Sequence, residues 1–176
     1  MNNEPSTIVL VGSDEPITAP LGRAWRAVDG EPAYRLVLEV APGEPVPDPA
    51  TFGPGAAVWI GTRIDSLRPA GDPAQAQVLL VVGQEPAPGH EVEFNAWMDE
   101  EHVPGLGAVP GTLSAHRYHS PTGSPAYFAV YHLRDAGVNA TPQWKAVGQS
   151  PLSAAMKPHS RKRIRGLYVP AEPAVQ

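Results

Sequence analysis

The chain has 176 residues, of which 42% are apolar, and a formal net charge of −5. That length bounds the fold to one ordinary domain or two small ones with a real core, and the acidic balance argues against non-specific binding to DNA or RNA. The lack of cysteine excludes disulfides and thiolate chemistry, which fits a cytoplasmic location. No stretch is long and apolar enough for a membrane helix, and residues 1–5 do not begin a signal peptide.

In chain order, the first half offers strand-like runs at 7–12, 22–28, 33–40 and 56–64. Asp29-Gly30 lies between the second and third runs and predicts a hairpin turn. Residues 17–20 join the first two runs. Pro42, Pro45, Pro47 and Pro49 predict a loop before the fourth, because each proline removes a backbone donor. Residues 67–76 read as a linker. The second half gives a strand at 77–83 and a helix at 92–103. A hairpin follows from 112–119 and 126–133, then a broken helical segment within 142–157 and a last strand at 163–169. That order is βαββαβ, a ferredoxin-like unit.

The halves echo each other. Val9, Leu10, Val11, Gly12, Glu15 and Pro16 match Leu80, Val81, Val82, Gly83, Glu85 and Pro86. Further on, Trp25, Gly30, Pro32, Ala33 and Tyr34 match Tyr118, Gly123, Pro125, Ala126 and Tyr127. The offset grows between the two matches, so the first half lacks the segment around 93–104. The predicted organisation is a degenerate, helix-stripped repeat at 1–66, a linker at 67–76, a complete repeat at 77–170 and a tail at 171–176. The fold class is α+β, with the two halves forming an α/β barrel within one chain.

Strand alternation makes a further prediction. Phe128, Val130 and His132 share one face, expected under the helices, and their counterparts Arg35, Val37 and Glu39 are expected on an uncovered face. Tyr34, Leu36 and Leu38 with Tyr127, Ala129 and Tyr131 are expected inside.

Glu93-Phe94-Asn95-Ala96-Trp97-Met98-Asp99-Glu100-Glu101-His102-Val103-Pro104, followed by Val109-Pro110-Gly111 and a strand, resembles the dimeric α/β-barrel superfamily, most closely its EthD-like branch. The shared pattern is a Trp-x-Asp-x-Glu-His-x-Pro helix end and a Pro-Gly turn. The resemblance implies the ferredoxin-like fold but no single reaction. Members include cofactor-independent monooxygenases, muconolactone isomerases, polyketide cyclases and haem proteins. One site is expected, in the second half.

His102 is the first candidate. Phe94, Met98 and His102 recur every four residues and share a helix face, next to Trp97 and Glu101. Pro104 is expected to stop the helix just beyond. Two readings stand: His102 as a general acid or base, or His102 as a cap on the last carbonyls. A turn at Asp29-Gly30, carried over by the repeat, sets Tyr118 near Tyr127, His116 near Ala129 and Ser114 near Tyr131. Ser114, His116, Tyr118, Tyr127 and Tyr131 would then face the interior together, lining a ligand cavity or filling a core. Arg23 and Trp25 take the matching first-half positions. There Arg23 either meets an acidic or enolate oxygen or is a surface residue. Asp99, Glu100 and Glu101 diverge around the helix and read as a solvated face. Arg161, Lys162, Arg163 and Arg165 read as an exposed face with ion-pair partners. Metal-ligand spacing is absent: His116 and His119 would point to opposite strand faces.

Two functions follow. The first is a small enzyme without a cofactor, acting on an enolisable, hydrophobic, aromatic or polyketide-like substrate. His102 would move a proton α to a carbonyl, and His116, Tyr118 or Tyr131 would steady the oxyanion. Trp97, Ser114, Tyr127, Arg23 and Trp25 would bind the substrate, and cyclase, dehydratase, isomerase or monooxygenase chemistry would follow. The second is a non-catalytic ligand-binding or oligomerising barrel. Haem through His102 or His116 is not expected. The expected partners are a small molecule and a second copy in a homodimer, not nucleic acid or membrane.

Overall fold

The computed structural model describes residues 6–17 and 21–171. Most of the expected connection at 17–20 and of the tail at 171–176 lies outside the described residues. Eight strands form one closed antiparallel barrel: β1 (Thr7–Ser13), β2 (Arg23–Gly30), β3 (Tyr34–Val40), β4 (Ala57–Arg63), β5 (Val78–Pro86), β6 (Thr112–His119), β7 (Tyr127–Leu133) and β8 (Ser160–Pro170). Around the ring their order is β1-β3-β2-β8-β5-β7-β6-β4. The first four strands and the last four therefore form two halves. They are joined by β2 against β8 along one seam, and by only two residue pairs, Thr62 with His119 and Arg63 with Tyr118, along the other. The expected α+β barrel within one chain is present. Its two sheets do not merely face each other but merge edge to edge, which leaves no free strand edge.

Among the described residues the α-helices all lie in the second half: α1 (Glu91–Trp97), α2 (Val103–Gly107), α3 (Pro142–Gly148) and α4 (Pro151–Met156). Glu91 and Glu93 in the first turn of α1 favour its positive end. Thr141 and Ser150 cap α3 and α4 by accepting from Trp144 N and Ser153 N, with proline next in each case. The helix does not stop at Pro104. Met98–His102 is a π-helical turn, in which Val103 N–H donates to Met98 O, and α2 continues through Pro104. Widening the hydrogen-bond register to five residues accommodates a residue that has no N–H to give. His102 is therefore mid-helix, and the reading of it as an end cap is corrected.

Register decides which face is inside. Trp25 pairs with Arg35 and Arg23 with Val37, while Tyr118 pairs with Phe128, His116 with Val130 and Ser114 with His132. Each hairpin is one residue out from the expected pairing. A one-residue slip moves every side chain to the other face. Asp29 and Gly30 do not form the turn. They follow a bulge at Val28 and pair with Leu167 and Gly166 of β8, and the corner falls at 31–33. Gly30, at φ 83, lets its backbone lie against the Arg165 carbonyl, where a Cβ would collide.

The interior assignment is accordingly inverted. Phe128, Val130 and His132, with Arg35, Val37 and Glu39, point into the barrel, whereas Ala129, Tyr131, Leu36 and Leu38 point out. An eight-stranded barrel is just wide enough for side chains to fill. Ile8, Leu10, Trp25, Leu79, Val81, Tyr118, Phe128 and Tyr168 fill this one. Gly166 leaves the volume that the Tyr168 ring occupies. Outside the second half, Phe94, Trp97, Met98 and Leu106 pack on Leu80, Ala129 and Tyr131. Among the described residues the first half has no α-helix, yet its outer face is aliphatic, with Val9, Val11, Leu36 and Val40 buried and Leu38, Val58 and Ile60 half covered. The expectation of a charged outer face there is corrected.

Candidate functional site

Two places gather polar side chains, and they lie on opposite sides of the second-half sheet. The first is the lower part of the barrel interior. Ser114 Oγ lies 2.9 Å from His132 Nδ1, and His116 Nδ1 lies 3.1 Å from Asp65 Oδ1. Asp65 also accepts from the Arg117 amide at 2.7 Å and from Arg63. Burial alone would raise the Asp65 carboxyl, but the hydrogen bonds from His116, Arg117 N and Arg63 outweigh it and hold it at about 2. The Tyr118 hydroxyl donates to Glu39 at 3.3 Å, and burial, then Glu39, pushes it well above its ordinary value. Arg23 donates to Ala74 O at 2.9 Å and lies over the Trp25 ring at 4.3 Å, so it ties the linker to the barrel end. Ser114, His116 and Tyr118 are at most 4% exposed and are satisfied by His132, Asp65 and Glu39 respectively within a filled lumen. They form a polar core, not the cavity expected from five residues sharing a face.

Tyr127 and Tyr131, expected beside them, are on the outer face. Tyr127 lies under the Arg117 guanidinium at 4.4 Å. Arg117 was not picked out from the sequence. It is 1% exposed and donates to Asp99 at 2.8 Å and Asn95 at 2.6 Å. Asp99, itself exposed as expected of a solvated face, is also the counter-ion of Arg117. Glu100 is exposed, and Glu101 accepts from Ser150. Arg165 pairs with Asp29 and Lys162 with Glu85, as an exposed ion-paired face requires.

The second place is a cleft between α1–α4 and the outer face of β5, β7 and β8. Its volume is about 150 Å³, and Trp97, His102, Tyr131 and Trp144 line it, with Lys157, Arg163 and Arg165 on the cationic side. The π turn places His102 here, against the Trp97 ring at 4.6 Å. Ser153, fully buried, is the hub behind it. Its hydroxyl donates to Val147 O at 2.9 Å and accepts from Trp97 Nε1 at 3.1 Å. With that proton committed, the 3.4 Å contact to His102 Nδ1 is a donation from the ring, which leaves Nε2 with its lone pair. Burial first, then the charges of Lys157 and Arg163, lowers His102 to about 4. The imidazole is therefore neutral across the physiological range. Burial raises the Tyr131 phenol, so it stays a neutral donor. Of the sequence candidates, the cleft brings together His102, Trp97 and Tyr131. His116, Tyr118, Ser114, Trp25 and Arg23 are on the far side of the sheet. Trp144 and Lys157 were missed, because they come from a segment whose sequence gave only broken helix, and Arg163, read only as part of an exposed ion-paired face, lines the cleft from β8. Among the described residues no three His, Asp or Glu side chains are placed to share a metal ion, and no helix is long and apolar enough to cross a membrane.

No family model matches the chain, and no curated protein matches it in sequence. Solved structures share its fold. A major regulator of staphylococcal pathogenesis is 11% identical, with a TM-score of 0.57 over 95% of this chain and 99% of its own. A candidate chlorite dismutase is 13% identical, with a TM-score of 0.59 over 97% and 96%. A candidate monooxygenase from Fusobacterium nucleatum subsp. nucleatum is 9% identical, with a TM-score of 0.59 over 98% and 94%. The fold is thus that of the dimeric α/β-barrel, ferredoxin-like proteins.

The expectation of a cofactor-free protein is corrected by these neighbours. A chlorite dismutase-like structure shares the fold over nearly the whole chain, and haem proteins occur in this fold group, so the fold gives no ground for excluding a cofactor. The His102 cleft does not fit haem as it stands. About 150 Å³ is the size of a cavity that admits benzene, far below a tetrapyrrole, and Nδ1 of the only histidine lining it is directed to Ser153.

Proposed function

We propose that the protein is an enzyme that moves a proton α to a carbonyl on a small, enolisable, anionic substrate held in the helix–sheet cleft. The observation that carries this reading is the His102 imidazole, neutral, oriented through Nδ1 by Ser153 and lining a cavity shared with Tyr131. His102 Nε2 accepts the proton and the Tyr131 hydroxyl donates to the developing oxyanion. Trp97 and Trp144 supply the apolar walls. An imidazole held at about 4 is a weak base. A substrate carboxylate seated on Lys157 and Arg163 offsets the two charges that help to depress it. The cavity volume limits the substrate to about one ring, smaller than a polyketide. His116 and Tyr118 have no part in this chemistry.

The EthD-like assignment is part of the same proposal and rests on Trp97, Asp99, Glu101, His102 and Pro104. A homodimer is likewise proposed, through the helix-free outer face of β1, β3 and β4, where Leu38, Val58 and Ile60 are only half covered.

Phenylpyruvate, an anionic single-ring ketone, tests the chemistry. The full chain should accelerate exchange of its α-protons with deuterated solvent. His102→Gln should lower that rate at least about 100-fold with unchanged circular dichroism. Exchange no faster than buffer, or a His102→Gln rate equal to wild type, overturns the reading.

A further inference from the structure

The upper mouth of the barrel holds a second cavity, distinct from the His102 cleft and independent of the reading given to it. Its volume is about 710 Å³, within the roughly 300–1,000 Å³ of pockets that enclose small molecules. Trp59, Phe128, Ile164 and Pro32 give it apolar walls, and Arg35 lies among its lining residues.

Arg35 is the unexplained group. It is 5% exposed, and its Nε is buried without a partner. Its one side-chain hydrogen bond runs from Nη2 to the Tyr168 hydroxyl at 3.5 Å, and that hydroxyl is itself committed to Glu31 O at 2.8 Å. Phe128 and Tyr168 flank the guanidinium at 5.8 and 5.7 Å. No carboxylate among the described residues pairs with it. A buried charge without a counter-ion is costly to the fold. Arg117, also buried and also with an unpartnered Nε, has its charge met by Asp99 and a further bond to Asn95. Arg35 has instead an open cavity in front of it.

We infer that the barrel mouth is a binding site for a small organic monocarboxylate with an apolar, ring-sized body. The carboxylate would take the Arg35 fork, which matches it in two-pronged geometry, and the body would lie against the wall that the Trp59 and Phe128 rings form together. These walls are rigid: Trp59 Nε1 donates to Pro125 O at 2.8 Å, and the two rings meet edge to face at 4.8 Å. Exposed Asp14 and Glu31 stand at the rim. Their charge disfavours a dianion such as a phosphate monoester, so a single negative charge buried at the floor is selected. Ser120 is turned away to hold Gly123 N at 3.0 Å, which leaves the walls largely apolar.

The test is calorimetric titration of the full chain with 2-naphthoate and, as a neutral near-isostere, 2-naphthamide. Wild type should bind the carboxylate at least tenfold more tightly than the amide. Arg35→Met should abolish that preference and leave amide binding within about twofold. Arg35→Lys, which keeps the charge but not the fork, should retain a preference reduced several-fold and guards against a misfolded methionine variant. His102→Gln should leave both affinities unchanged, which separates this site from the helix–sheet cleft. Equal binding of the two probes, no naphthoate binding, or a carboxylate preference that survives Arg35→Met overturns the inference.

Discussion

Asp65→Asn removes one charge at the point where the segment after β4 closes the lower barrel mouth. The carboxylate accepts from His116 Nδ1 at 3.1 Å, Arg63 Nη2 at 3.0 Å, Leu67 N at 2.9 Å and Arg117 N at 2.7 Å. The side chain is only 8% exposed, so screening by solvent is slight. Its fall from 3.8 to about 2 corresponds to roughly 2.5 kcal/mol. Asparagine keeps the shape and one acceptor oxygen but not the charge, so the variant should lose about 2–3 kcal/mol at pH 7, or very roughly 5–10 °C in Tm. The folded carboxyl is depressed relative to the unfolded one. The stabilisation is therefore complete above pH 3.8 and fades as pH falls through about 2. Urea unfolding followed by tryptophan fluorescence, at steps from pH 7 to pH 2.5, measures the gap between variant and wild type. A gap below about 0.5 kcal/mol at pH 7, smaller than one ordinary hydrogen bond contributes, refutes the reasoning. So does a gap that stays constant down to pH 2.5.

Other outcomes follow from the same geometry. Burial first, then Lys157 and Arg163 for His102 and His116 and Arg23 for His132, holds both imidazoles at about 4 instead of 6.5. Their contribution to stability is intact above pH 6.5 and is withdrawn as pH falls towards 4, by up to roughly 3 kcal/mol for each. His132→Gln should flatten the slope of unfolding free energy against pH in that window, and an unchanged slope contradicts it. Gly166→Ala drives a Cβ into the Tyr168 ring and should cost about 1–3 kcal/mol. Gly148→Ala meets nothing within 4 Å and should be nearly neutral in the same thermal melts. Light scattering should give about twice the 18.6 kDa chain mass at micromolar concentration, and Ile60→Glu should return it to the single-chain mass. A single-chain mass throughout argues against pairing through that face.

The sequence by itself determined which segments are strands and which are helices. Residues 78–82 are apolar and rich in valine, 142–157 read as a broken helical segment, and the spacing of four puts Phe94, Met98 and His102 on one face of a helix. It also determined that the α-helices fall in one half, because the repeat in the first half leaves out the segment around 93–104. Only the tertiary structure decided which sheet face became the interior. In β5 and β7 both faces are apolar, since one packs into the barrel and the other under helices. Strict alternation, the signal that fixes a face locally, is therefore missing there. In the first hairpin the register goes with the bulge at Val28 and the pairing of β2 with β8, contacts more than 130 residues apart in the chain, and the second hairpin carries its own irregularity at Leu113. A one-residue difference in each hairpin separated Tyr131 from His116 and sent Arg35 and Glu39 inward. It also joined His102 to Trp144 and Lys157, which no local pattern connects. A β-strand's period of two makes the face depend on a single residue of register, and in this closed barrel that register is set by strands far apart in the chain.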